Sequence, residues 1–134
     1  MIWDKPIMVD SCSLINLMRA GHDPRIVLMP FLRAGLLYSC GVIRAEVLRG
    51  MKIEKRMHEL AAFFDIIPEV PTDAKLWLHV SKIGWALARI GKAPPVTDLA
   101  IAACALRVRA TLVTVDGHFD DITGLSLLEE VPED

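Results

Sequence analysis

The chain has 134 residues, of which 53% are hydrophobic and 24% charged, and its formal net charge is −2. This length fits one domain over residues 1–134 that can bury a hydrophobic core without disulfides or metals. The small negative net charge gives no indication that the protein as a whole binds a polyanion such as a nucleic acid. The three cysteines form no C-x-x-C pair, which argues against a disulfide framework and against a thiolate zinc site.

The apolar segments bear on where the protein acts. The first ten residues lack the pattern of a signal peptide, because Asp4, Lys5 and Asp10 interrupt them. No apolar run reaches the roughly 18 residues that span a bilayer. We therefore expect a cytoplasmic protein with no membrane segment. The mean hydropathy of +0.39 is high for a small protein, which suggests apolar surface reserved for a partner or a second copy.

The first half of the chain predicts short strands that alternate with helices. A buried strand at 7–9 precedes a helix that includes 14–18 and stops near Gly21. A second helix is expected from Pro24, a suitable first-turn residue, to about Ala34. The remaining predictions in this half are a strand at 36–39, helical segments at 42–51 and on through residue 64, and a third strand at 64–67.

The second half contains the clearest helical pattern. Thr72 is a plausible N-cap for a helix that runs to Gly91. Its apolar stripe recurs at three- and four-residue steps and consists of Leu76, Val80, Ile83, Leu87 and Ile90. Trp77 and Trp85 flank this stripe, and we expect both in the core. The last predicted elements are an Ala-rich helix at 97–109, a fourth strand at 111–114 and a short edge strand at 125–128. This order predicts an α/β fold with a mostly parallel sheet.

Four acidic residues fall where parallel sheets carry their ligand sites. Asp10 ends the first strand and Asp116 follows the fourth, and ligands bind open parallel sheets beyond the carboxyl ends of the strands. Glu46 lies in the helix after the second strand, and Asp98 opens the Ala-rich helix. The four carboxylates are therefore expected to meet at one edge of the sheet. Such oxygen donors suit Mg²⁺ or Mn²⁺, which activate water and stabilise a phosphoryl group under attack.

Each acid also has an ordinary structural interpretation. Asp10 can cap the following helix, and Asp98 can favour a helix N-terminus through the helix dipole. Glu46 can be an exposed helix residue, and Asp116 with Gly117 can form a turn. Only the combination of the four points to a metal site.

Two further groups of polar residues are less specific. A basic cluster can attract phosphates or can be a solvated helix face, and it comprises Arg44, Arg49, Lys52, Lys55 and Arg56. The four histidines are scattered, and only His118 lies near one of the acids. No zinc site or nucleophile–base pair is therefore indicated.

Four short segments, taken in order, resemble the motifs of the PIN-domain family. Residues 9–15, Val-Asp-Ser-Cys-Ser-Leu-Ile, resemble its opening strand and Asp-Ser/Thr step. Residues 46–50, Glu-Val-Leu-Arg-Gly, are similar to the second motif, and residues 98–106 resemble the third, an Asp that leads an Ala-rich helix. Residues 114–119, Thr-Val-Asp-Gly-His-Phe, resemble the closing T-x-D-x-x-F. No single motif is specific, but four in order are, and the compact size is most similar to VapC-type toxins of toxin–antitoxin pairs.

The resemblance implies a three-layer α/β/α fold with a small, mostly parallel sheet of four to five strands, and a metal-dependent endoribonuclease. The catalytic, metal-binding acids would be Asp10, Glu46, Asp98 and Asp116, with Mg²⁺ or Mn²⁺ as the cofactor. Ser11 and Thr114 would orient the carboxylates or the waters of the metal. Candidate contacts to the RNA substrate are Arg44, Arg49 and Lys52. A homodimer is implied as well, together with a small cognate antitoxin that covers an apolar groove near the site.

Two residues depart from the family pattern. Cys12 stands where the family often has a polar residue, so one hydrogen bond to the site is expected to be missing. His118 stands where many members carry a further acid, so we expect one firmly held ion, with a second completed by substrate phosphate.

Other functions fit the sequence less well. A phosphatase would need a second Asp two residues after the first, where this chain has Cys12. A receiver domain would need an Asp that ends the third strand and a Lys near the last, and neither is evident. An inactive PIN-like binding module and an RNA-processing nuclease without an antitoxin remain the alternatives. A neighbouring short reading frame for a DNA-binding antitoxin would favour the toxin.

Overall fold

A computed structural model describes residues 2–133, which form a five-stranded sheet and six α-helices. The strands are β1 Ile7–Val9, β2 Leu37–Cys40, β3 Glu69–Val70, β4 Thr111–Val113 and β5 Leu127–Leu128. The helices are α1 Ser11–Arg19, α2 Pro24–Arg33, α3 Gly41–Arg49, α4 Glu54–Ile66, α5 Ala74–Arg89 and α6 Val96–Arg107, with a 3₁₀ helix at Gly117–Phe119.

The sheet is parallel throughout, and its strands lie in the order β3-β2-β1-β4-β5. The chain therefore moves outward from β1 to β3 and then returns across the sheet to β4. Because parallel crossovers are right-handed, this reversal assigns α1–α4 to one face of the sheet and α5 and α6 to the other. The predicted three-layer α/β/α arrangement with a small parallel sheet is confirmed.

The core is centred on β1, β4 and α6. Every residue of β1 and of β4 is buried, and so are seven consecutive residues of α6, from Leu99 to Ala105. Four of these seven are alanines and one is Cys104, so the helix lies close to its neighbours without steric conflict. The small side chains of α6 thus permit this close packing.

Aspartates cap three of the helices. The Asp10 side chain accepts a hydrogen bond at the start of α1, and Asp23 accepts one from the Arg25 amide, 2.9 Å away. At α5 the cap is Asp73, whose side chain accepts from the Leu76 amide at 3.0 Å. The prediction of Thr72 as the cap of α5 is therefore wrong by one residue.

The predicted strand at 64–67 is also wrong, because α4 continues to Ile66 and the strand begins only at Glu69. Leu60, Phe63, Phe64 and Ile67 are all buried, and their three- and four-residue spacing is that of one helix face. A short apolar run before a proline is compatible with either structure, and here the longer helical repeat prevails.

The two tryptophans of α5 are not in the core. Trp77 is 41% exposed and Trp85 is 64% exposed, whereas Leu76, Val80 and Leu87 are buried against the rest of the molecule. Ile90, the last residue of the predicted stripe, is 62% exposed. The helix therefore has an outer apolar surface in addition to its buried face. In residues 2–133, no helix combines the length and apolar character needed to cross a bilayer.

Candidate metal centre

The centre of the site is Asp10, which follows β1 and is only 3% exposed. Val9 pairs with Val113 across β1 and β4, so Asp10 and Thr114 emerge side by side at the carboxyl edge of the sheet. The Thr114 hydroxyl donates a hydrogen bond of 2.8 Å to Asp10 Oδ2, and the Ser11 amide donates one of 2.8 Å to Oδ1. The buried carboxylate is thus held by donors from two different segments.

Glu46 reaches the same edge from α3. The Ser11 hydroxyl lies 3.1 Å from Glu46 Oε1 and 3.4 Å from Asp10 Oδ1, so it is shared between the two carboxylates. Contact between α1 and α3 brings these residues together. Ser11 therefore contacts two of the four acids.

Asp98 and Asp116 complete the group of four. Asp98 lies in the first turn of α6, where the helix dipole favours a negative charge. Asp116 follows β4, and its amide donates to the Thr114 hydroxyl oxygen at 3.1 Å. His118 Nδ1 lies 2.8 Å from Asp98 Oδ2 and 3.3 Å from Asp116 Oδ1. The histidine thus bridges the two carboxylates, and the sequence indicated only that it would be close.

The electrostatics of the site show that the four carboxylates act on one another. Burial, followed by the charges of Asp10 and Asp98, raises the pKa of Glu46, although the Ser11 hydroxyl opposes the shift. Burial also raises the pKa of Asp98, with further contributions from Asp116 and Asp10, while the His118 hydrogen bond opposes it. Packed carboxylates of this kind call for a compensating cation.

Cys12 differs from its expected role. Its thiol is 3.1 Å from Asp10 Oδ2 and donates a hydrogen bond to it, and its Sγ lies 3.6 Å from the Thr114 hydroxyl. The expectation that one hydrogen bond to the site is missing at Cys12 is therefore wrong, because a thiol, although a weak donor, can still donate to a carboxylate. Burial is the main cause that raises the pKa of Cys12, so the sulfur keeps its proton and can donate it.

The basic cluster divides into two parts. Arg44 turns away to α4, where its guanidinium is 2.6 Å from Asp65 Oδ1 and lies over the Phe64 ring. Arg49 is exposed three residues after Glu46 on the same helix, and its charge is the smallest of the causes that oppose the rise in the pKa of Glu46. Lys52 is exposed in the segment after α3. Of the three predicted RNA contacts, Arg44 is thus engaged with α4, whereas Arg49 and Lys52 are exposed.

The donor set fits a hard divalent cation. Ligand atoms of Asp98, Asp116 and His118 all lie within 4.8 Å of one another, close enough to share one ion. Asp10 and Glu46 are not part of this group of three, but the charge of Asp10 raises the pKa of Asp98, and the charges of Asp10 and Asp98 raise that of Glu46. The carboxylate oxygens of the site are the donors that Mg²⁺ and Mn²⁺ prefer. Hydrogen bonds from Ser11 and Thr114 fix the Asp10 carboxylate, as is usual for residues around a metal site.

Solved structures with the same fold are components of toxin–antitoxin complexes. The chain is similar to one in VapBC2 from Rickettsia felis bound to a promoter DNA fragment, with 21% identity and a TM-score of 0.74 over 91% of this chain and 96% of that one. It is also similar to a chain in DNA-bound VapBC from Salmonella typhimurium, with 19% identity and a TM-score of 0.76 over 93% and 98% of the two chains. For VapBC-1 from nontypeable Haemophilus influenzae the identity is 22% and the TM-score 0.71, over 91% and 96%. At these identities the likeness concerns the fold.

A search of curated protein sequences found no significant match. The family model for the PIN domain, by contrast, matches residues 7–125, which include all four acids and both hydroxyl residues of the site. On this match, and with the fold and the acidic site that accompany it, the chain belongs to the PIN-domain family.

Proposed function

We propose that this chain is a divalent-metal-dependent endoribonuclease, and that Asp10, Glu46, Asp98 and Asp116 bind Mg²⁺ or Mn²⁺ for the cleavage of RNA phosphodiester bonds. The observation that carries the proposal is the convergence of four carboxylates from four separate elements, two of them with raised pKa values. PIN domains are generally divalent-metal-dependent nucleases, which supports the same chemistry. Carboxylates held this close to one another destabilise the fold unless a cation or a proton compensates their charge.

The residues around the acids have separate roles in this proposal. A divalent cation, when bound, supplies the positive charge that activates water and stabilises the phosphoryl oxygens. Asp10 is locked in place by the Ser11 amide and the Thr114 hydroxyl, so its oxygens need no rearrangement on binding. Glu46 is partly buried and shares the Ser11 hydroxyl with Asp10, so its carboxylate is held toward the same ion.

Arg49 is our candidate for holding the substrate backbone. It is exposed, and its charge reaches Glu46, so a phosphate beside the scissile bond would lie within its range. Lys52 follows it on the exposed chain and would extend the same basic surface. Arg44 forms an ion pair with Asp65, so we do not include it among the RNA contacts.

We further propose that the nuclease is the toxin of a VapBC-type pair, a homodimer that acts in the cytoplasm and is inhibited by a cognate antitoxin. Its fold likeness to chains of three VapBC complexes supports an antitoxin partner. The exposed apolar side of α5 is the candidate surface for the second copy.

The test is cleavage of a labelled single-stranded RNA by purified, antitoxin-free protein in Mg²⁺, Mn²⁺ or EDTA. We expect metal-dependent cutting, and a rate at least about a hundredfold lower for Asp98→Asn. Loss of the carboxylate weakens metal binding, and the metal contributes several kcal/mol of transition-state stabilisation. The matched control is Asp4→Asn, which removes an exposed acid remote from the site and should leave the rate unchanged.

Three outcomes would contradict the proposal. Cutting that persists in EDTA, or in Asp98→Asn, would show that the acids hold no required metal. A complete lack of cutting by wild-type protein in either metal would favour an inactive PIN-like binding module. If the protein cuts RNA in a metal-dependent way but has no antitoxin that inhibits it, the result would favour an RNA-processing nuclease.

A further inference from the structure

His118 is the one nitrogen donor among the oxygen donors of the site in residues 2–133. It belongs to the 3₁₀ helix Gly117–Phe119, and its own amide donates 2.9 Å to Asp116 Oδ1. That bond fixes the backbone of His118 beside the acid, while its side chain stays 52% exposed. The imidazole is therefore held at the site by its backbone and is not packed into the core.

The position of its Nδ1 atom matches that of a metal ligand. In an octahedral ion with bonds of about 2.1 Å, two neighbouring ligand atoms are separated by about 3.0 Å. Nδ1 lies 2.8 Å from Asp98 Oδ2 and 3.3 Å from Asp116 Oδ1, one distance just below this value and one just above it. Nδ1 is therefore spaced from each of the two oxygens as one ligand of an ion is from its neighbour, and ligand atoms of the three residues lie within 4.8 Å of one another.

We propose that His118 Nδ1 is a ligand of the metal and gives this site a preference for Mn²⁺ over Mg²⁺. The inference rests on the proposed function, because it concerns the same metal. A nitrogen ligand strengthens the binding of transition-metal ions, whereas Mg²⁺ gains little from exchanging an oxygen ligand for a nitrogen. An imidazole nitrogen coordinates a metal only when it carries no proton, so any proton on Nδ1 leaves to solvent when the ion binds.

The experiment measures metal binding directly, with Mn²⁺ and Mg²⁺ as the probes and the metal-free full chain as the protein. Calorimetric titration gives the two affinities, and pulsed electron paramagnetic resonance of bound Mn²⁺ detects a directly coordinated nitrogen. The variants are His118→Ala, which removes the ligand, and His118→Asn, which can offer an amide oxygen near the same point. His79→Gln, an exposed histidine on α5, is the matched control.

We expect nitrogen coupling in wild-type protein and in His79→Gln, and its loss in both His118 variants. The ratio of Mn²⁺ to Mg²⁺ affinity should fall by about tenfold in both, the low end of what altered ligation costs a metal site. In His118→Asn the Mg²⁺ affinity should stay close to that of wild type. Circular dichroism verifies folding, which an exposed side chain should not disturb.

Two results would overturn this inference alone. Mn²⁺ bound without nitrogen coupling, at an unchanged affinity ratio, would mean that His118 lies outside the coordination sphere. Tighter Mn²⁺ binding by His118→Ala would mean that the imidazole competes with the ion for Asp98 and Asp116. Failure of wild-type protein to bind either metal would overturn this inference and the proposed function together.

Discussion

At the scale of single residues, the site depends on how the buried Asp10 carboxylate is satisfied. It accepts hydrogen bonds from the Ser11 amide, the Thr114 hydroxyl and the Cys12 thiol. A buried charge without such donors would cost several kcal/mol. These bonds leave the carboxylate in one orientation, which is the condition for binding an ion without a reorganisation cost.

Thr114 gives a test of this orientation. Thr114→Val keeps the shape of the buried side chain but removes the hydroxyl that donates to Asp10 Oδ2. We expect Mn²⁺ affinity to fall by about 10- to 100-fold, as for other groups that orient metal ligands. The free energy of unfolding of the metal-free protein should fall by about 1.5–3 kcal/mol, the usual contribution of a hydrogen bond to a charged group.

Thr114→Ser is the control for that change, because it keeps the hydroxyl and loses only a methyl group. It should retain most of the metal affinity, which calorimetric titration measures, while urea unfolding measures stability. Equal metal affinity in the Val and Ser variants would show that the hydroxyl has no part in orienting Asp10.

At the scale of elements, α5 shows where periodicity is informative and where it fails. The spacing of Leu76, Val80 and Leu87 correctly predicted a long helix with one buried face. The same spacing could not tell whether the flanking Trp77 and Trp85 face the core, because both sides of the stripe are apolar. The packing of α6 against one side of α5 leaves the other side in solvent.

The exposed side of α5 leads to a prediction about assembly. Trp85→Glu introduces a charge into the surface that we propose as the homodimer contact, and burying an unpaired charge is strongly unfavourable. We expect wild-type protein to sediment as a dimer and Trp85→Glu as a monomer, in sedimentation velocity experiments at the same concentration. Because Trp85 is 64% exposed in the single chain, its replacement should leave the fold intact.

Ile26→Glu is the matched control, since Ile26 is 74% exposed on α2 rather than on α5. It should remain dimeric. A monomeric wild-type protein would contradict the proposed dimer. A Trp85→Glu protein that stays dimeric would show that the contact lies on another surface.

At the scale of the whole molecule, the acidic site ties stability to pH when no metal is bound. The pKa values of Glu46 and Asp98 are raised, chiefly by burial, so the folded protein binds their protons more tightly than the unfolded chain does. The pKa of His118 is raised as well, chiefly by its hydrogen bond to Asp98. All three groups therefore stabilise the fold less as the pH rises through their folded-state pKa values.

We accordingly expect the urea midpoint of the EDTA-treated protein to rise as the pH is lowered from 8 to about 5.5. The window lies above the ordinary pKa of carboxyl groups, about 4, and spans that of imidazole, about 6.5. Asp23, whose pKa the neighbouring Arg25 lowers, loses its stabilising effect only at more acidic pH. Saturating Mn²⁺ should reverse the trend, because protons then compete with the ion. A midpoint in EDTA that is flat or highest at pH 8 would contradict this account.

The sequence alone was sufficient for the parallel α/β fold, the positions of most elements and the approach of the four acids. Strand ends and helix starts carry local signals, and the topology of a parallel sheet collects them at one edge. For Asp10 and Asp116 this reasoning needed only the two strands that precede them.

Only the tertiary structure decided which side chains contact one another. The thiol of Cys12 completes the hydrogen bonds of Asp10, His118 bridges Asp98 and Asp116, and Arg44 turns away from the site. Such contacts depend on rotamers and on distances between segments that are far apart in the chain, and the spacing of residue types contains neither. The end of α4 and the exposure of Trp85 were decided in the same way, by what the neighbouring elements cover.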